Sequence, residues 1–396
     1  CRIRDIASRQ SPKGALTGMK KKIVSRKWLV IPLLFVLFVV LGNLSSGINL
    51  LDRAIVVGLA VDGGGEEIEL SAQIIVPKNG GVSSQGNTFA VYESKGSTLQ
   101  EAIENLSTTI GLRASFAHTD VILFGSDFLR SGTADVLEYI FKSDLVRDSA
   151  LLVAAACDAK DLFKLKLPVN EVVSYHLVEM LNSNRDEAGQ NPMTLHKYFY
   201  NYYTLGGANY MPLVNVLKEE KGSISPDSGK GEDTYRLELS KTVVLSREGY
   251  VMRLDREDSK GLSYADKRLN SGTLGYRDED GVRREAVILD SKAMFEAVAE
   301  DEVKLSVVTM CRPAEKAYSE HGEQKGGLDV GAVGQIKGQI AASVEACFEH
   351  CRQKDCDIFA LGEVLYRKYG EKFKVRCGED YLDKVRLTVE VTVFTK

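Results

Sequence analysis

The longest apolar run in this 396-residue chain covers residues 28–41 (WLVIPLLFVLFVVL) and directly follows a basic cluster at residues 20–27. A secretory leader has this order with roughly 7 to 15 apolar residues, whereas a membrane-spanning helix needs about 20. The segment reaches spanning length through Ile48, but the small residues near Gly42 or Ser46 would also suit a signal-peptidase site. We expect an uncleaved anchor, which places the rest of the chain outside the cytoplasm.

The apolar side chains of this run define the predicted membrane anchor. They are Trp28, Leu29, Val30, Ile31, Leu33, Leu34, Phe35, Val36, Leu37, Phe38, Val39, Val40 and Leu41. A buried core helix is the alternative, but such a helix would need an amphipathic stripe, and this run is apolar on all sides. Met19 opens the leader-like sequence MKKKIVSRKW, so residues 1–18 are interpreted as an upstream extension.

Between residues 49 and 217 the pattern switches repeatedly between the strand period and the helix period. Residues 51–62 and 67–76 flank three glycines and predict a β-hairpin. Ser97 and Gln100 form a capping box before a helical repeat that runs to Ile110. Further strands are predicted at residues 88–93, 120–124, 150–155 and 211–217, and further helices at residues 134–142, 158–164 and within 171–204. The mixture predicts an α+β fold.

An aromatic cluster closes the last of these helical segments. It consists of Tyr198, Phe199, Tyr200, Tyr202 and Tyr203, and Gly206-Gly207 follows it. Clustered aromatic side chains form either a platform for a sugar or peptide or part of a packed core. We favour packing, because a glycine break follows directly.

The polar segment 218–233 contains glycines and a proline and is interpreted as an exposed linker between two domains. The chain is therefore divided into an extension (1–18), a signal or anchor segment (19–48), an N-terminal domain (49–217), the linker (218–233) and a C-terminal domain (234–396). This organisation is that of a multidomain ectodomain of mixed sheets and helices behind an N-terminal anchor.

The C-terminal domain opens with a predicted hairpin at residues 235–245 and 251–254 and closes with its two clearest elements. Residues 336–351 carry a helical apolar stripe that includes Ile336, Ile340, Val344 and Cys347. Residues 385–393 alternate apolar and polar positions as a half-buried strand does. Between the hairpin and the helical stripe we predict strands at 285–289 and 302–310, and a polar helix at 262–272.

The distribution of charged residues agrees with export of the part of the chain that follows the apolar run. Residues 1–27 hold nine Lys or Arg and one Asp, which leaves 42 basic and 54 acidic residues, a net charge of −12, for the remainder. Basic residues before an apolar segment and acidic residues after it are the expected asymmetry across a membrane. An acidic body lacks the clustered Lys and Arg that bind phosphate backbones, so we expect no nucleic-acid partner.

The sequence contains few signs of a catalytic or metal-binding motif. The five His residues form no zinc-ligand spacing, and the chain has no GxSxG elbow and no glycine-rich phosphate loop. His118 is interpreted as a polar residue at a strand entrance, and residues 255–258 as a solvated acidic turn rather than a calcium loop. We predict neither an enzyme nor a cofactor.

Four of the seven cysteines, Cys347, Cys351, Cys356 and Cys377, lie in the last fifty residues. Cys347 and Cys351 fall on the apolar stripe of the predicted helix, which favours buried thiols over a zinc site. Cys356 and Cys377 could instead form a disulfide, because an exported compartment permits one. The sequence leaves both alternatives open.

Several segments, in order, resemble the Ger(x)C family, the third subunit of bacterial spore nutrient germination receptors. The C-terminal signature reads Asp357-Ile358-Phe359-Ala360-Leu361-Gly362 and then Leu365-Tyr366-Arg367-Lys368-Tyr369. Earlier segments similar to the family are RAIVVGLAVD (53–62), FAH (116–118), VILFG (121–125), YMPL (210–213) and LDREDSKGL (254–262). The signature residues to which we assign a structural role are Asp357, Phe359, Gly362, Tyr366, Arg367 and Lys368.

The resemblance implies a non-enzymatic subunit on the outer face of the spore inner membrane that works in germination with polytopic membrane subunits. Family members usually carry a lipid-modified cysteine after the apolar run, but this chain has no Cys between Cys1 and Cys157. A helix left in the bilayer would replace the lipid, because its insertion is far stronger than that of one acyl chain. The competing hypothesis is an extracytoplasmic small-molecule binding protein or hydrolase whose pocket is formed by the aromatic cluster.

Overall fold

The computed structural model describes residues 31–39, 53–76, 88–131, 134–167, 172–184, 187–218, 235–266, 268–314, 317–318, 324–325, 327–378 and 380–396. Residues 1–52 and 53–396 form two separate units. In the first unit, residues 31–39 form helix α1, and its apolar side chains are exposed. The described helices include none with both the length and the apolar character that crossing a bilayer requires. The predicted anchor residues Trp28, Leu29, Val30, Val40 and Leu41 lie outside the described residues.

The second unit contains a large mixed sheet that has ten strands among the described residues. The strands are β1 (Arg53–Gly64), β2 (Glu67–Val76), β3 (Thr88–Gly96), β4 (Arg113–Ser115), β5 (Val121–Phe124), β6 (Leu151–Ala155), β7 (Met193–Thr194), β8 (Asn209–Lys218), β9 (Tyr235–Ser246) and β10 (Gly249–Leu254). Their order is β10-β9-β8-β6-β5-β1-β2-β3, with β4 beside β1 and β7 beside β6. The predicted hairpins β1–β2 and β9–β10 are confirmed.

Among the described residues, six helices lie along this part of the chain. They are α2 (Leu99–Ile110), α3 (Ser126–Ser131), α4 (Ala134–Lys142), α5 (Ala159–Leu162), α6 (Val173–Ser183) and α7 (Leu195–Tyr202). The central strands β5 and β6 are buried along their whole length, and their alternate side chains enter two different core clusters. The middle of the sheet is therefore covered on both faces, which explains why these two strands are continuously apolar.

The cap of α2 differs by one residue from the prediction. Thr98, not Ser97, accepts the hydrogen bond from the N–H of Glu101, at 3.2 Å. The carboxylate of Glu101 in turn accepts from the N–H of Ser97 at 2.8 Å. The capping pair is thus Thr98 and Glu101, and the helix itself is confirmed.

The described residues from Arg256 onward build a second sheet, which has four described strands and is covered by helices. Its elements are α8 (Arg256–Asp266), β11 (Thr273–Arg277), β12 (Arg283–Ala299), β13 (Glu302–Pro313), the short pair β14 (Ala317–Tyr318) and β15 (Gln324–Lys325), α9 (Val330–Arg352), α10 (Leu361–Tyr369), α11 (Glu371–Cys377), a 3₁₀ turn (Tyr381–Asp383) and β16 (Arg386–Thr395). The sheet order is β11-β12-β13-β16, and β16 runs parallel to β13. Helix α9 packs on one face of the sheet.

The long helix α9 and the terminal strand β16 confirm the two clearest predictions for the C-terminal half. Asp329 caps α9 by accepting from the N–H of Ala332 at 2.6 Å. The predicted apolar stripe of α9 is buried. On the opposite face of the sheet Met294 and Phe394 are exposed, together with Val308 and Met310.

Three predictions for the C-terminal half are corrected. Residues 255–258 are not a solvated turn, because Asp255 accepts hydrogen bonds from the N–H groups of Glu257 and Asp258 and begins helix α8. That helix ends at Asp266, so the predicted helix over 262–272 is wrong in its bounds. Strand β12 continues to Ala299, ten residues past the predicted end at residue 289, and β11 was not predicted.

The fold class is α+β, as predicted. The predicted boundary at residues 218–233 stays a prediction, since residues 219–234 lie outside the described part of the chain. The strands on either side of it, β8 and β9, pair antiparallel in the first sheet from Asn209 with Leu245 to Lys218 with Tyr235.

Candidate functional site

Asp357, the first residue of the predicted signature, is 5% exposed and lies in the loop between α9 and α10. Its Oδ1 accepts a hydrogen bond from the N–H of Leu361 at 2.9 Å. Its Oδ2 accepts from the N–H of Gly362 at 2.8 Å and from the hydroxyl of Tyr381 at 2.6 Å. Burial raises the pKa of Asp357, although these hydrogen bonds act in the opposite direction. The carboxylate therefore satisfies the first turn of α10, whose N–H groups have no partner within the helix.

Two glycines leave the space that the side chain of Tyr381 occupies. A Cβ at Gly362 would lie 2.7 Å from the Tyr381 hydroxyl oxygen, and a Cβ at Gly206 would lie 2.5 Å from it. Gly206 also has a φ of +93°, a conformation that favours glycine. Burial and the nearby Asp357 carboxylate raise the pKa of Tyr381. We call Gly206, Asp357, Gly362 and Tyr381 the tyrosine junction; it joins the loop before β8 to the C-terminal helices.

The aromatic and basic residues of the signature tie this junction to the second sheet. Phe359 is buried, with its ring centroid 6.1 Å from that of Phe295 and 6.3 Å from that of Phe348. The ammonium group of Lys368 donates to the carbonyl of Ala297 at 2.5 Å. These contacts fix the start and the end of α10 against β12 and α9.

The remaining signature residues lie on the outer side of α10. Arg367 donates to the hydroxyl of Tyr200 and to the carboxylate of Glu363, both at 2.8 Å. The hydroxyl of Tyr366 lies 3.3 Å from a carboxylate oxygen of Glu371. Arg367 thus provides a second link between the α7 region and the C-terminal helices.

A pocket of about 630 Å³ opens beside the tyrosine junction. This volume lies within the range of roughly 300 to 1,000 Å³ that is usual for small-molecule sites. Its lining residues are Leu205, Gly206, Arg247, Asp355, Asp357, Phe373, Lys374, Gly378, Tyr381 and Leu382. Phe373, Tyr381 and Leu382 are buried and form an apolar floor, whereas the charged groups Arg247, Asp355 and Lys374 are exposed. We call this cavity the junction pocket.

A second pocket, of about 720 Å³, lies near β7 and the end of α8. Lys197 and Asp266 line it and form an ion pair at 2.6 Å, and the hydroxyl of Tyr210 donates to the same carboxylate at 2.7 Å. Arg268, at the rim, contacts Asp290 at 2.6 Å. Lys197 and Asp266 thus neutralise each other, and Arg268 is paired with Asp290.

Helices α8 and α9 cross at Gly261, within the segment LDREDSKGL that resembles the family. A Cβ at Gly261 would overlap the carbonyl oxygen of Ser343 and lie 3.0 Å from the Cβ of Cys347. The same two helices are joined by Asp258, whose carboxylate oxygen lies 2.8 Å from Nδ1 of His350. The segment therefore allows α8 and α9 to cross at close distance.

The C-terminal cysteines are buried free thiols, which confirms the favoured interpretation. Cys356 and Cys377 are not joined in a disulfide. Burial raises the pKa of Cys356 to about 12 and also raises that of Cys377. Within the described ranges, no group of three or more His, Cys, Asp or Glu side chains is placed to hold a metal ion.

The aromatic cluster is divided between core and surface. Tyr198 and Phe199 are buried, as the packing interpretation predicts, while Tyr200 and Tyr203 are exposed. Neither of the two pockets is lined by a residue of the cluster. His118 is exposed in the turn before β5.

Sequence reasoning found half of the tyrosine junction. Asp357 and Gly362 were identified through the family resemblance, and Gly206 only as a chain break. Tyr381 and the pocket residue Arg247 were missed. The one sequence signal for this contact was the glycine pair at 206–207. That signal does not identify Tyr381, because the sequence does not show which distant side chain fills the space that a glycine leaves.

Comparison with protein families gives two matches in order along the chain. Residues 47–216 match the family described as "Spore germination protein N-terminal domain". Residues 240–396 match "Spore germination B3/ GerAC like, C-terminal". Together the two matches cover most of the chain, which belongs to the Ger(x)C family of spore germination proteins.

Three proteins of Bacillus subtilis (strain 168) are similar to the chain. Spore germination protein KC is 21% identical over 402 aligned residues, 94% of this chain and 96% of that protein. Putative spore germination protein YfkR is 24% identical, over 56% of this chain and 55% of that protein, so the chain matches about half of its length. Spore germination protein B3 is 28% identical over 43% of this chain and 46% of that protein. The crystal structure of the GerBC protein aligns with a TM-score of 0.47 at 16% identity and covers 86% of this chain and 96% of that chain.

Proposed function

We propose that the protein is a non-enzymatic, membrane-anchored subunit of a spore nutrient germinant receptor, which acts in germination with polytopic membrane subunits. The observation that supports this proposal most is the ordered match of both halves of the chain, residues 47–216 and 240–396, to spore germination domains. The similarity to Spore germination protein KC over nearly the full length of both proteins supports it further.

The non-enzymatic role is supported by the way in which the signature residues are used. All three hydrogen bonds of the Asp357 carboxylate serve the first turn of α10 or the Tyr381 hydroxyl. Lys368 holds a backbone carbonyl of β12, and Phe359 packs against two phenylalanine rings. The signature residues therefore stabilise the fold, as expected of a protein that presents surfaces to partners.

Membrane attachment is supported by the apolar run at residues 28–41 and the basic cluster before it. The side chains of residues 31–39 are exposed in a helix, which suits contact with lipid tails. Attachment would hold the unit of residues 53–396 at the extracytoplasmic face of the spore inner membrane.

Affinity purification of the tagged full chain from forespore and spore membranes tests this proposal. We expect mass spectrometry to recover polytopic germination subunits together with an intact peptide that spans Trp28 to Ile48. Recovery of the protein alone, in soluble form and cleaved near Gly42 or Ser46, would contradict the anchored receptor subunit.

A matched pair of variants tests whether residues 28–41 hold the protein at the membrane. Phe35→Arg with Phe38→Arg places two charges in the predicted anchor, at a cost of about 2.5 to 3.5 kcal/mol each at a helix centre. We expect this variant to leave the membrane fraction, and Phe35→Leu with Phe38→Leu to remain in it. Equal membrane fractions for both variants would show that residues 28–41 do not hold the protein at the membrane.

A further inference from the structure

Strand β16 forms one edge of the second sheet, next to β13. The N–H groups of Arg386 and Lys396 donate to the carbonyls of Asp301 and Cys311 on the β13 side, at 2.9 and 3.1 Å. Backbone groups alternate in direction along a strand. The odd-numbered residues from Leu387 to Thr395 therefore direct their N–H and C=O groups away from β13, towards the free edge.

The opposite edge of the same sheet is covered by side chains of α9. The amide group of Gln335 accepts from the N–H of Arg277 at 2.9 Å and donates to the carbonyl of Arg277 at 2.8 Å. Gln339 donates to the carbonyl of Gly275 at 2.6 Å. Within the described ranges, no side chain makes such a bond to the backbone of β16. One edge of the sheet is thus closed, and the other can accept a further strand.

The sequence of β16 lacks the residues that usually prevent edge pairing. Proline and lysine protect many edge strands, and neither occurs between Arg386 and Thr395. The two charged side chains of the strand are already paired with β13: Arg386 lies 3.5 Å from Glu302, and Glu390 forms an ion pair with Lys304. The edge therefore consists mainly of valine and threonine, which favour strand pairing.

The core-facing side chains of β16 are incompletely covered. Val393 is buried, but Leu387, Val389 and Val391 are only half-buried against the core. A strand added at the free edge would place its own side chains beside these three. Removal of their remaining apolar surface from water would favour the addition.

Strand β16 is complementary to itself in the antiparallel direction. When Val391 lies opposite Val391 of a second copy, Val389 lies opposite Val393, and Leu387 lies opposite Thr395. All of these residues direct their backbone groups towards the free edge. Each free N–H from Leu387 to Thr395 then meets a carbonyl of the other copy, and each such carbonyl meets an N–H.

The solvent-facing side chains fit the same register. Glu390 lies opposite Thr392, and Thr388 lies opposite Phe394, so that a β-branched side chain meets an aromatic ring. No two like charges are directly opposed between Leu387 and Thr395. A register centred on Glu390 would instead place two carboxylates opposite each other, which is unfavourable.

We propose that β16 is an interface between two copies of this chain, which pair antiparallel about Val391 and join their second sheets into one continuous sheet. The same strand is used by both copies, as a two-fold symmetric interface requires. This inference does not depend on the receptor proposal, because it rests on the edge strand alone.

Sedimentation velocity of the full chain in detergent tests the interface. We expect monomer and dimer in an equilibrium that depends on protein concentration. Thr392→Glu places a carboxylate opposite Glu390 of the second copy, and Thr392→Lys, the matched control, places an ammonium there. We expect the dimer dissociation constant to rise about fivefold or more in the first variant and not in the second, since both symmetric contacts become repulsive. The thermal midpoint of each monomer checks folding.

Cysteine pairing tests the register. Glu390→Cys and Thr392→Cys, made in separate proteins with different affinity tags, are mixed and oxidised. In the proposed dimer these positions form a pair without backbone hydrogen bonds, with Cα atoms about 4.5 Å apart, which a disulfide can span. Glu390→Cys mixed with Thr388→Cys is the matched control, because an offset of four residues separates the thiols by about 13 Å. We expect a mixed disulfide in the first mixture only, above the background given by the native thiols of the wild type.

Four results would overturn the inference. The first is a wild type that remains monomeric at the highest concentration at which it is soluble. The second is equal dimerisation of folded Thr392→Glu and Thr392→Lys. The third is equal disulfide formation in the two cysteine mixtures. The fourth comes from hydrogen exchange: protection of the N–H groups of Val389 and Val391 in the monomer would show that the same chain covers the edge, and protection only with co-purified subunits would assign the edge to a partner strand.

Discussion

The side chain of Tyr381 is the point at which three distant parts of the chain meet. Its hydroxyl donates to Asp357, and both Gly206 and Gly362 leave it room. A buried hydroxyl needs a hydrogen-bond partner, and a buried carboxylate needs donors, so each group satisfies the other. Packing and polar satisfaction therefore depend on the same few atoms.

Replacement of Gly362 by alanine should test this close approach. The new Cβ would lie 2.7 Å from the Tyr381 ring and hydroxyl, so we expect a loss of about 2 kcal/mol in the free energy of unfolding. Gly338→Ala is the matched control, because it lies in α9 with no atom within 4 Å of its Cβ. Alanine is the better helix former, so the control should gain about 0.5 to 1 kcal/mol. Urea unfolding followed by circular dichroism measures both, and equal values for the two variants would contradict the expectation.

Asp357 should give the protein a specific dependence on pH. Burial raises its folded pKa above the ordinary value of 3.8, so the native state holds its proton to a higher pH than the unfolded chain does. The contribution of this group to the free energy of unfolding therefore falls as the pH rises from about 4 through the folded pKa. Asp357→Asn lacks this dependence.

We therefore expect the stability of the wild type minus that of Asp357→Asn to be largest at acidic pH and to shrink as the pH rises. Urea denaturation of both proteins at several values between about pH 4 and pH 7 measures this difference. A difference that grows with pH would show that the hydrogen bonds outweigh burial and lower the pKa of Asp357.

At the scale of elements, the crossing of α8 and α9 is the closest helix contact described above. It depends on Gly261, which faces the backbone of Ser343. A backbone atom cannot rotate away as a side chain can, so the helices themselves would have to move apart. The hydrogen-bond contact between Asp258 and His350 would move with them.

Gly261→Ala should therefore cost more than Gly362→Ala, and we expect a loss of roughly 3 kcal/mol. Gly334→Ala, in α9 with nothing near its Cβ, is the matched control and should be neutral or stabilising. Thermal unfolding of the two variants measures the difference. A wild-type midpoint for Gly261→Ala would mean that α8 and α9 can separate without loss.

Helix α8 also shows where prediction from sequence reaches its limit. Besides Leu262 and Tyr264, its buried residues include Ser259, Gly261, Ser263 and Ala265, which are small residues with little hydrophobic signal. The periodicity of large apolar residues therefore did not reveal it. In α9 and β16, by contrast, large apolar residues mark the buried face, and both elements were predicted.

The second half of β12 was missed for a related reason. Its core-facing positions include Ala293 and Ala297, while the exposed Met294 lies between them. Small residues inside and a large apolar residue outside weaken the alternation that identifies a strand.

The tyrosine junction was only half predicted because its members come from separate regions, and the sequence does not show their contact.

At the scale of the whole molecule, the first sheet extends across the predicted domain boundary. Strands β8 and β9 lie on opposite sides of residues 218–233 and share a long antiparallel ladder. Arg247, beyond the boundary, also bonds to carbonyls of Tyr202 and Thr204, before it. The two family-matched regions are thus joined by contacts other than the peptide chain.

Cleavage within the predicted linker should leave these regions associated. A protease site inserted between Ser228 and Gly229 allows one cut after folding, and we expect the two fragments to co-elute in size-exclusion chromatography under native conditions. They should separate in urea. Separation without denaturant would instead show that the regions on either side of 218–233 are independent domains.

The parallel pairing of β13 with β16 sets an order of events for folding. Helices α9, α10 and α11 all lie between these two strands in the chain, so β16 can join the sheet only after that whole segment is made. Pairings between residues so far apart in sequence form slowly, and until β16 arrives the backbone groups of β13 on that side have no strand partner. During synthesis the protein therefore passes through a state with an open, apolar strand edge, and slow expression at low temperature should favour its recovery in folded form.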